Sequence, residues 1–255
     1  MGHQSVILRQ ENISTANIPA EGVKRGGKRR EAVSKRTKTY RGISRTKKGG
    51  ARYVPSSDHR TSNDDGTMKA LKSAFKEEDA NMNAIKIQKI GITDLDTDTI
   101  VNAANEGLWA GGGVCGAIFR AAGHDKLQDA CDSIGHCDTG SAVITPGFNL
   151  RAKYVIHAVG PVWRGGNSNE PQLLYGAYSH ALELAVENRC HSIGFPLISA
   201  GIFGYPKDKA WRVAIQACYD FFAKNPGTDL KVIFAVLDDS ILELGQKILG
   251  EMSPA

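Results

Sequence analysis

The sequence predicts an α/β domain whose largely parallel sheet is covered by helices on both faces. From about residue 85 onwards, short apolar runs alternate with segments of helical periodicity. Strands that are apolar throughout are typical of parallel sheets buried on both faces. Two glycine-rich loops follow two of these runs. Because such sheets bind ligands at the carboxyl ends of their strands, we expect both loops to share one crevice.

Six apolar runs bounded by Gly, Pro, Asn or Asp predict the strands of this sheet. They span residues 85–90, 99–101, 142–145, 154–159, 193–198 and 232–237. Apolar residues recurring at three and four positions predict longer helices, and weaker patterns predict two shorter ones. The helices span residues 114–122, 126–134, 173–188, 208–223 and 240–249.

The segment after the second predicted strand carries the most chemical information. Two asparagines are followed by three consecutive glycines and then by a predicted helix; these residues are Asn102, Asn105, Gly111, Gly112 and Gly113. Without Cβ atoms, glycines let backbone N–H groups close around an anion, and the helix adds the positive end of its dipole. Asparagine amides suit sugar hydroxyls. We call residues 105–113 the first glycine loop; it predicts a site for a phosphorylated sugar or nucleotide.

A dinucleotide fingerprint and a purely structural turn are both less well supported for the first glycine loop. Residues 111–116 formally fit G-x-G-x-x-G, the dinucleotide fingerprint. That fingerprint needs a strand leading directly into the first glycine and an acidic residue at the end of the next strand. Here residues 105–110 intervene, and Asp129 and Asp132 fall in a predicted helix. A purely structural turn rarely needs three glycines, and the chain contains a second glycine loop.

At these residues the chain resembles a macrodomain, the ADP-ribose-binding module. Residues 199–206, here called the second glycine loop, resemble the family's second phosphate loop and again follow an apolar run. Residues 140–145 and 154–163 match internal strands of the family. The resemblance covers about residues 85–250. It implies a three-layer α/β/α domain over residues 82–255, with a mixed, largely parallel central sheet.

The resemblance also implies the residues of the site and the ligand, which would be ADP-ribose, free or attached to a protein. Catalysis would depend on Asn102 and Asn105. The ligand-binding positions would be Gly91, Ile92, Ala103, Gly111, Gly112, Gly113, Val114, Cys115, Ser199, Ala200, Gly201, Ile202, Phe203, Gly204 and Tyr205. No cofactor is expected.

Four positions depart from the family's pattern. MacroD-type hydrolases place an aspartate where this chain has Cys115 and a histidine where it has Phe119. Viral-type macrodomains place a histidine where it has Ala110. Many macrodomains have an adenine-binding aspartate where it has Gly91, for which the neighbouring Asp94 is a candidate replacement. With these groups absent, the substrate's own phosphate is a candidate base.

Two functions therefore remain open. The first is an enzyme that hydrolyses ADP-ribosyl esters, either removing ADP-ribose from acidic side chains or deacetylating O-acetyl-ADP-ribose. Esters have a reactive leaving group, so oriented water in a preorganised site is sufficient in principle. The second is a non-catalytic reader that binds ADP-ribose, which the residues at positions 115 and 119 favour.

Metal sites are poorly supported. Cys131, His136 and Cys137 lack a fourth ligand nearby, and the acidic residues at 94, 96 and 98 do not continue as a calcium loop. We expect no metal. His157 lies in a predicted buried strand and is expected to be a hydrogen-bonded core residue.

The first part of the chain differs in composition from the rest. Residues 1–60 carry 15 Lys and Arg against 4 Asp and Glu, whereas the remainder carries 17 against 23. Low apolar content predicts that residues 1–80 form a basic, flexible extension. It would either contact a polyanion or remain a solvated tail.

Cysteine usage and hydropathy predict the compartment. The chain has five cysteines, an odd number, and has neither a secretory signal pattern nor an apolar run long enough to cross a membrane. We expect a reduced, cytoplasmic protein that acts as a monomer and does not associate with membranes.

Overall fold

The computed structural model describes residues 84–253. Within this range six strands form one sheet in the order β1-β6-β5-β2-β4-β3. Strand β3 is antiparallel to β4, and every other pair is parallel. The strands are β1 Ile85–Lys89, β2 Thr99–Ala103, β3 Ala142–Pro146, β4 Tyr154–Ala158, β5 Ser192–Phe195 and β6 Lys231–Val236. The mixed, largely parallel sheet is confirmed. The predicted extension over residues 1–80 lies outside the described residues.

All five predicted helices are present, with a short 3-10 turn at Ile92–Asp94. They are α1 Gly113–Ala122, α2 His124–Ile134, α3 Glu170–Glu187, α4 Lys207–Lys224 and α5 Asp239–Met252. Helix α3 begins three residues earlier than predicted, because Pro171 in its first turn is compatible with helical backbone there. In residues 84–253 no helix is long and apolar enough to span a bilayer.

Two apolar cores, one on each face of the sheet, hold the three layers together. Ile100 of β2 and Val155 of β4 pack toward α1 and α2, whereas Val101 and Ile156 pack toward α3, α4 and α5. This division follows from strand geometry, because successive side chains point to opposite faces. The predicted three-layer α/β/α architecture is therefore confirmed.

The sheet topology places a crevice between two neighbouring strands, β2 and β5. Strand β2 leads into α1 on one face, and β5 leads into α4 on the other. Where connections leave a parallel sheet in opposite directions, their loops separate and open a binding crevice. The predicted strand over residues 193–198 ends early, at Phe195. Pro196 has no N–H to continue the ladder, so the chain turns there.

Candidate functional site

A cleft of about 410 Å³ opens at the carboxyl ends of β2, β5 and β6. Both glycine loops line it, as the sequence predicts, together with residues 235–238 at the end of β6. The volume suits a small-molecule ligand. A second cavity, of about 440 Å³, lies among α3, α4 and Met252 and contains neither glycine loop. The cleft is therefore the better candidate site.

Most of the predicted site residues, catalytic and ligand-binding together, line this cleft. They are Ala103, Asn105, Gly111, Gly112, Gly113, Val114, Cys115, Ser199, Ala200, Gly201, Ile202 and Phe203. The structure does not bring the remaining predicted residues into the lining. These are Gly91, Ile92, Asn102, Gly204 and Tyr205.

The first glycine loop presents the start of α1 to the cleft. Helix α1 has Gly112 as its N-cap, and no side chain caps the first turn. Gly113 has a φ of 59°, a conformation that favours glycine. A Cβ on Gly116 would lie 2.6 Å from the carbonyl oxygen of Gly111, so only glycine allows the helix to pack this close to the loop. Backbone N–H groups at the helix start are thus available to an anion.

Cys115 lies in the first turn of α1 and is 5% exposed. Its Sγ accepts a hydrogen bond from the backbone N–H of Gly111 at 3.3 Å. The thiol also lies 4.0 Å from the carbonyl oxygen of Trp109. Sulfur is a weak acceptor and a weak donor. We infer that Cys115 supports the shape of the loop rather than orienting a water molecule as a carboxylate would.

Asn105 is the asparagine that lines the cleft. Its Nδ2 donates to the carbonyl oxygen of Trp109 at 2.9 Å, and its Oδ1 accepts from the N–H of Trp109 at 3.3 Å. Each of these atoms retains capacity for a second hydrogen bond, because the amide has two N–H groups and the oxygen two lone pairs. Asn105 can therefore hold the loop and contact a ligand at the same time.

Asn102 does not lie where the sequence analysis expected a catalytic residue. It is 1% exposed, and its Nδ2 donates to Nδ1 of His157 at 3.1 Å. The predicted strand ended at residue 101, but β2 continues to Ala103. Side-chain alternation within the strand turns Asn102 into the core beneath α1 and α2. A direct contact of Asn102 with ligand is thus not supported by the geometry.

His157 is the buried core residue that the sequence predicts. Because the Asn102 amide can only donate to Nδ1, the neutral imidazole carries its proton on Nε2, which lies 3.0 Å from Oγ1 of Thr145. Sγ of Cys131 lies 3.7 Å from Nε2. Burial lowers the pKa of His157 to about 4 from an ordinary value of 6.5. The imidazole is therefore neutral at physiological pH.

The shifted pKa of His157 predicts a pH dependence of stability. In the unfolded chain the imidazole binds a proton below about pH 6.5, whereas in the fold it stays neutral down to about pH 4. The free energy of unfolding is thus highest above pH 6.5 and falls toward pH 4, by up to about 3 kcal/mol from this group. Urea unfolding at pH 7, 5.5 and 4 measures it. His157→Gln, which keeps an acceptor and a donor, should flatten the curve, whereas the exposed-site control His136→Gln should not. If the free energy of unfolding of His157→Gln falls with pH as steeply as that of wild type, this account is contradicted.

The second glycine loop is held in a constrained conformation. Ser199 has a φ of 64°, and its buried Oγ has no hydrogen-bond partner among the described residues. A Cβ on Gly160 would lie 2.3 Å from that oxygen, so glycine is needed to accommodate the hydroxyl. Gly204, at a φ of 68°, and Tyr205 donate N–H bonds back into the loop without lining the cleft. Their role is therefore to shape the loop.

Gly91 and the adjoining 3-10 turn lie outside the cleft lining. A Cβ on Gly91 would lie 2.5 Å from Oδ2 of Asp94. The carboxylate of Asp94 thus occupies the space next to Gly91 that a larger side chain would need. An adenine-binding role for Asp94 stays a prediction.

Comparison with known proteins identifies the family. Residues 101–214 match the sequence model of the Macro domain family. A macro domain-containing protein of Chlorobaculum tepidum is 50% identical over 162 residues, which are 64% of this chain and 93% of the relative. This chain belongs to the Macro domain family. A Cronobacter turicensis protein named O-acetyl-ADP-ribose deacetylase is 47% identical over 171 residues, covering 66% of this chain and 96% of that relative.

Solved macrodomains have the same fold. The Oceanobacillus iheyensis macrodomain with ADP aligns with a TM-score of 0.64 and 36% identity, covering 68% of this chain and 93% of that one. The Trypanosoma brucei macrodomain in complex with ADP-ribose aligns with a TM-score of 0.62 and 38% identity, covering 67% of this chain and 71% of that one.

In this macrodomain, the structure shows where a residue that departs from the family pattern lies and which charged side chains line the cleft. Phe119 is fully buried, and its ring packs 6.4 Å from the ring of His157, centroid to centroid. It is absent from the cleft lining. Asp238 is the only carboxylate residue in that lining, and its Oδ1 caps α5 by accepting from the N–H of Ser240 at 2.8 Å. Among the described residues that line the cleft there is no Lys, Arg or His side chain and no carboxylate besides that of Asp238.

Ten residues that line the cleft were not predicted from the sequence. They are Ala104, Gly160, Pro196, Leu197, Ile198, Ala235, Val236, Leu237, Asp238 and Ile241. The end of β6 had a usable signal, because an apolar run ends there and parallel strands bring their carboxyl ends to one edge. Gly160 had none, since its role depends on the distant Ser199.

Cys131, His136 and Cys137 are the cysteine and histidine residues that the sequence analysis considered as metal ligands. Cys131 faces His157, whereas His136 pairs with Asp138 at the surface, 2.9 Å apart. In the part of the chain that the structure describes, no group of three or more His, Cys, Asp or Glu side chains is arranged to hold a metal ion.

Proposed function

We propose that this macrodomain binds ADP-ribose in the cleft and hydrolyses ADP-ribosyl esters. The substrate is O-acetyl-ADP-ribose or a protein that carries ADP-ribose on an acidic side chain. The observation that carries the proposal is the convergence of two glycine loops and the start of α1 on one cleft. Backbone N–H groups and a helix dipole at one point suit a diphosphate. Relatives named O-acetyl-ADP-ribose deacetylase, and solved macrodomains with ADP and ADP-ribose, support the same ligand.

The chemistry depends on orientation rather than on a protein base. In the proposed reaction, water adds to the acyl carbon of the ester and the bond from that carbon to the ribose oxygen breaks. The ribose oxygen takes a proton, and ADP-ribose and a carboxylic acid are released. The second N–H of Asn105 orients the water or the ribose hydroxyl. A phosphate oxygen of the substrate accepts the proton of the water. Preorganised donors can lower the barrier for so reactive an ester.

The alternative function is an ADP-ribose reader without catalysis. The observation that favours it is that the described cleft lining contains no basic side chain and no carboxylate besides that of Asp238, while Cys115 has a thiol and Phe119 is buried. Both functions require binding, so titration calorimetry of ADP-ribose tests their common part. A saturable heat is expected. No heat and no thermal shift at millimolar ADP-ribose would contradict both.

The proposed mechanism predicts that Cys115→Ala leaves turnover within about threefold of wild type, because a thiol is a poor substitute for a carboxylate in positioning water. Steady-state hydrolysis of an ADP-ribosyl ester measures the effect, and Cys190→Ala, at a buried cysteine outside the cleft, is the matched control. The rival mechanism uses a Cys115 thiolate as the nucleophile, aided by the start of α1. Loss of turnover in Cys115→Ala with ADP-ribose binding intact would establish the rival.

We also propose the finer features that the sequence suggests. The protein acts as a monomer in the cytoplasm, its domain begins near residue 82, and the basic segment over residues 1–80 contacts a polyanion. The charge difference between residues 1–60 and the remainder supports the last of these.

A further inference from the structure

A series of contacts outside the cleft begins at Glu170, the first residue of α3. Glu170 is 1% exposed. Its carboxylate accepts hydrogen bonds from the backbone N–H groups of Arg164, Gly166 and Ser168 at 3.0, 3.1 and 2.5 Å. Among the ion pairs within residues 84–253, none includes Glu170. Its charge is therefore stabilised by the backbone of the preceding loop.

The N–H groups around Glu170 favour its ionised form. Burial alone raises the pKa of this carboxyl, but the backbone hydrogen bonds outweigh burial, and the pKa lies below its usual value. A glutamine at this position would retain one oxygen and place an NH₂ group against an N–H donor. Glu170→Gln should therefore release part of the loop over residues 164–169 without changing the size of the side chain.

This loop packs directly on Trp163. Gly166 has a φ of 89°, and a Cβ there would lie 2.8 Å from the indole ring, so the backbone itself covers the ring. The indole also packs against the ring of Tyr205, with 4.5 Å between ring centroids. Nζ of Lys209 lies 5.0 Å from the centroid of the indole. Trp163 thus lies between the loop over residues 164–169 on one side and Tyr205 and Lys209 on the other.

Trp163 is attached to the second glycine loop at two points. Its backbone N–H donates to the carbonyl oxygen of Phe203 at 2.9 Å, and its ring packs on Tyr205. Phe203 lines the cleft, whereas Trp163 and Glu170 do not. The second glycine loop contains Ser199 and Gly204 in left-handed conformations. Such a conformation at a residue other than glycine, here Ser199, persists when surrounding contacts impose it.

We propose that Trp163 and Glu170 are positioning residues that fix the second glycine loop and so set ADP-ribose affinity without contacting the ligand. The effect on affinity rests on the proposed function, whereas the effect on the loop does not. The ligand class is the one proposed above, a diphosphate that joins a nucleoside and a sugar. The second glycine loop binds this ligand, and contacts outside the cleft fix the shape of the loop.

The test compares Glu170→Gln, Trp163→Ala and Trp163→Phe with wild type, and uses Glu187→Gln, at an exposed residue of the same helix, as the matched control. Hydrogen exchange of the unliganded protein reports on the loop. We expect amides of residues 199–205 to exchange at least about tenfold faster in Glu170→Gln and Trp163→Ala, with residues 111–116 unchanged. Calorimetry should show ADP-ribose binding about tenfold weaker in these two variants. Trp163→Phe, which keeps a ring on Tyr205, and Glu187→Gln should stay within about threefold of wild type for both.

Three results would overturn the positioning role. The first is unchanged exchange over residues 199–205 in both variants. The second is faster exchange in both glycine loops alike, which indicates general destabilisation. The third is faster exchange confined to the second loop with wild-type affinity for ADP-ribose. If exchange rises in the second loop but wild-type protein does not bind ADP-ribose, the loop effect is supported and the proposed function is contradicted instead.

Discussion

Gly201→Glu should abolish ADP-ribose binding while the domain stays folded. Gly201 lines the cleft in the second glycine loop, and no atom lies within 4 Å of the position that a Cβ would occupy. Its φ is not positive, so the backbone accepts any L-residue. A glutamate would fill the phosphate space and oppose the diphosphate with its own charge. We expect a loss of affinity of at least about 100-fold, near 2.7 kcal/mol, by calorimetry.

The matched control for this substitution is Gly250→Glu in α5. That glycine also has no atom within 4 Å of its Cβ position, and it lies outside the cleft. Both variants should unfold within about 1 kcal/mol of wild type, as surface substitutions usually do. Wild-type affinity in a folded Gly201→Glu variant would place the diphosphate elsewhere.

Asn105→Ala should reduce turnover by about 100-fold or more, the typical cost of removing one preorganised donor from an active site. The amide of Asn105 holds the backbone of Trp109 and has a second N–H available to the substrate. Steady-state hydrolysis of O-acetyl-ADP-ribose measures the effect. Asn105→Asp keeps the oxygen that accepts from the Trp109 N–H but removes both N–H donors, so an equally low turnover in Asn105→Asp would assign the effect to the donors. Wild-type turnover in Asn105→Ala would remove this residue from the mechanism.

Asn102→Ala is the control for Asn105, because the two asparagines differ in position rather than in chemistry. Removing the buried amide leaves Nδ1 of His157 without its donor, so we expect a loss of about 1–3 kcal/mol in the free energy of unfolding. Turnover per folded molecule, measured well below the unfolding temperature, should change little. Equal losses of turnover in both variants would contradict the distinction that the structure draws.

Asn102 and Asn105 show which features of the site can be predicted from the sequence and which cannot. Continuous apolar runs predicted the strands, and consecutive glycines predicted the anion-binding loop, because both signals are local. The predicted strand ended before Asn102, but β2 continues to Ala103, and side-chain alternation within the strand turns Asn102 into the core. The helices α3 and α4 were likewise predicted within three residues at each end.

Contacts between distant residues could not be predicted in this way. Gly160 accommodates the hydroxyl of Ser199, and Trp163 packs against Tyr205. None of these four residues lies within a helix or strand whose periodicity would predict the contact. The carboxylate of Glu170 is buried by a loop of glycine and polar residues that the sequence presents as exposed. Such pairs arise from the fold as a whole.

The most direct test of the central claim is a single time course of ADP-ribose release by the wild-type protein. O-acetyl-ADP-ribose and a protein carrying ADP-ribose on glutamate are each incubated with the protein, and product is quantified beside the calorimetric affinity for ADP-ribose. We predict multiple turnovers on at least one of the two esters, with release that depends on Asn105. Tight binding of ADP-ribose with no release above the uncatalysed rate on either ester would contradict hydrolysis and establish the reader function.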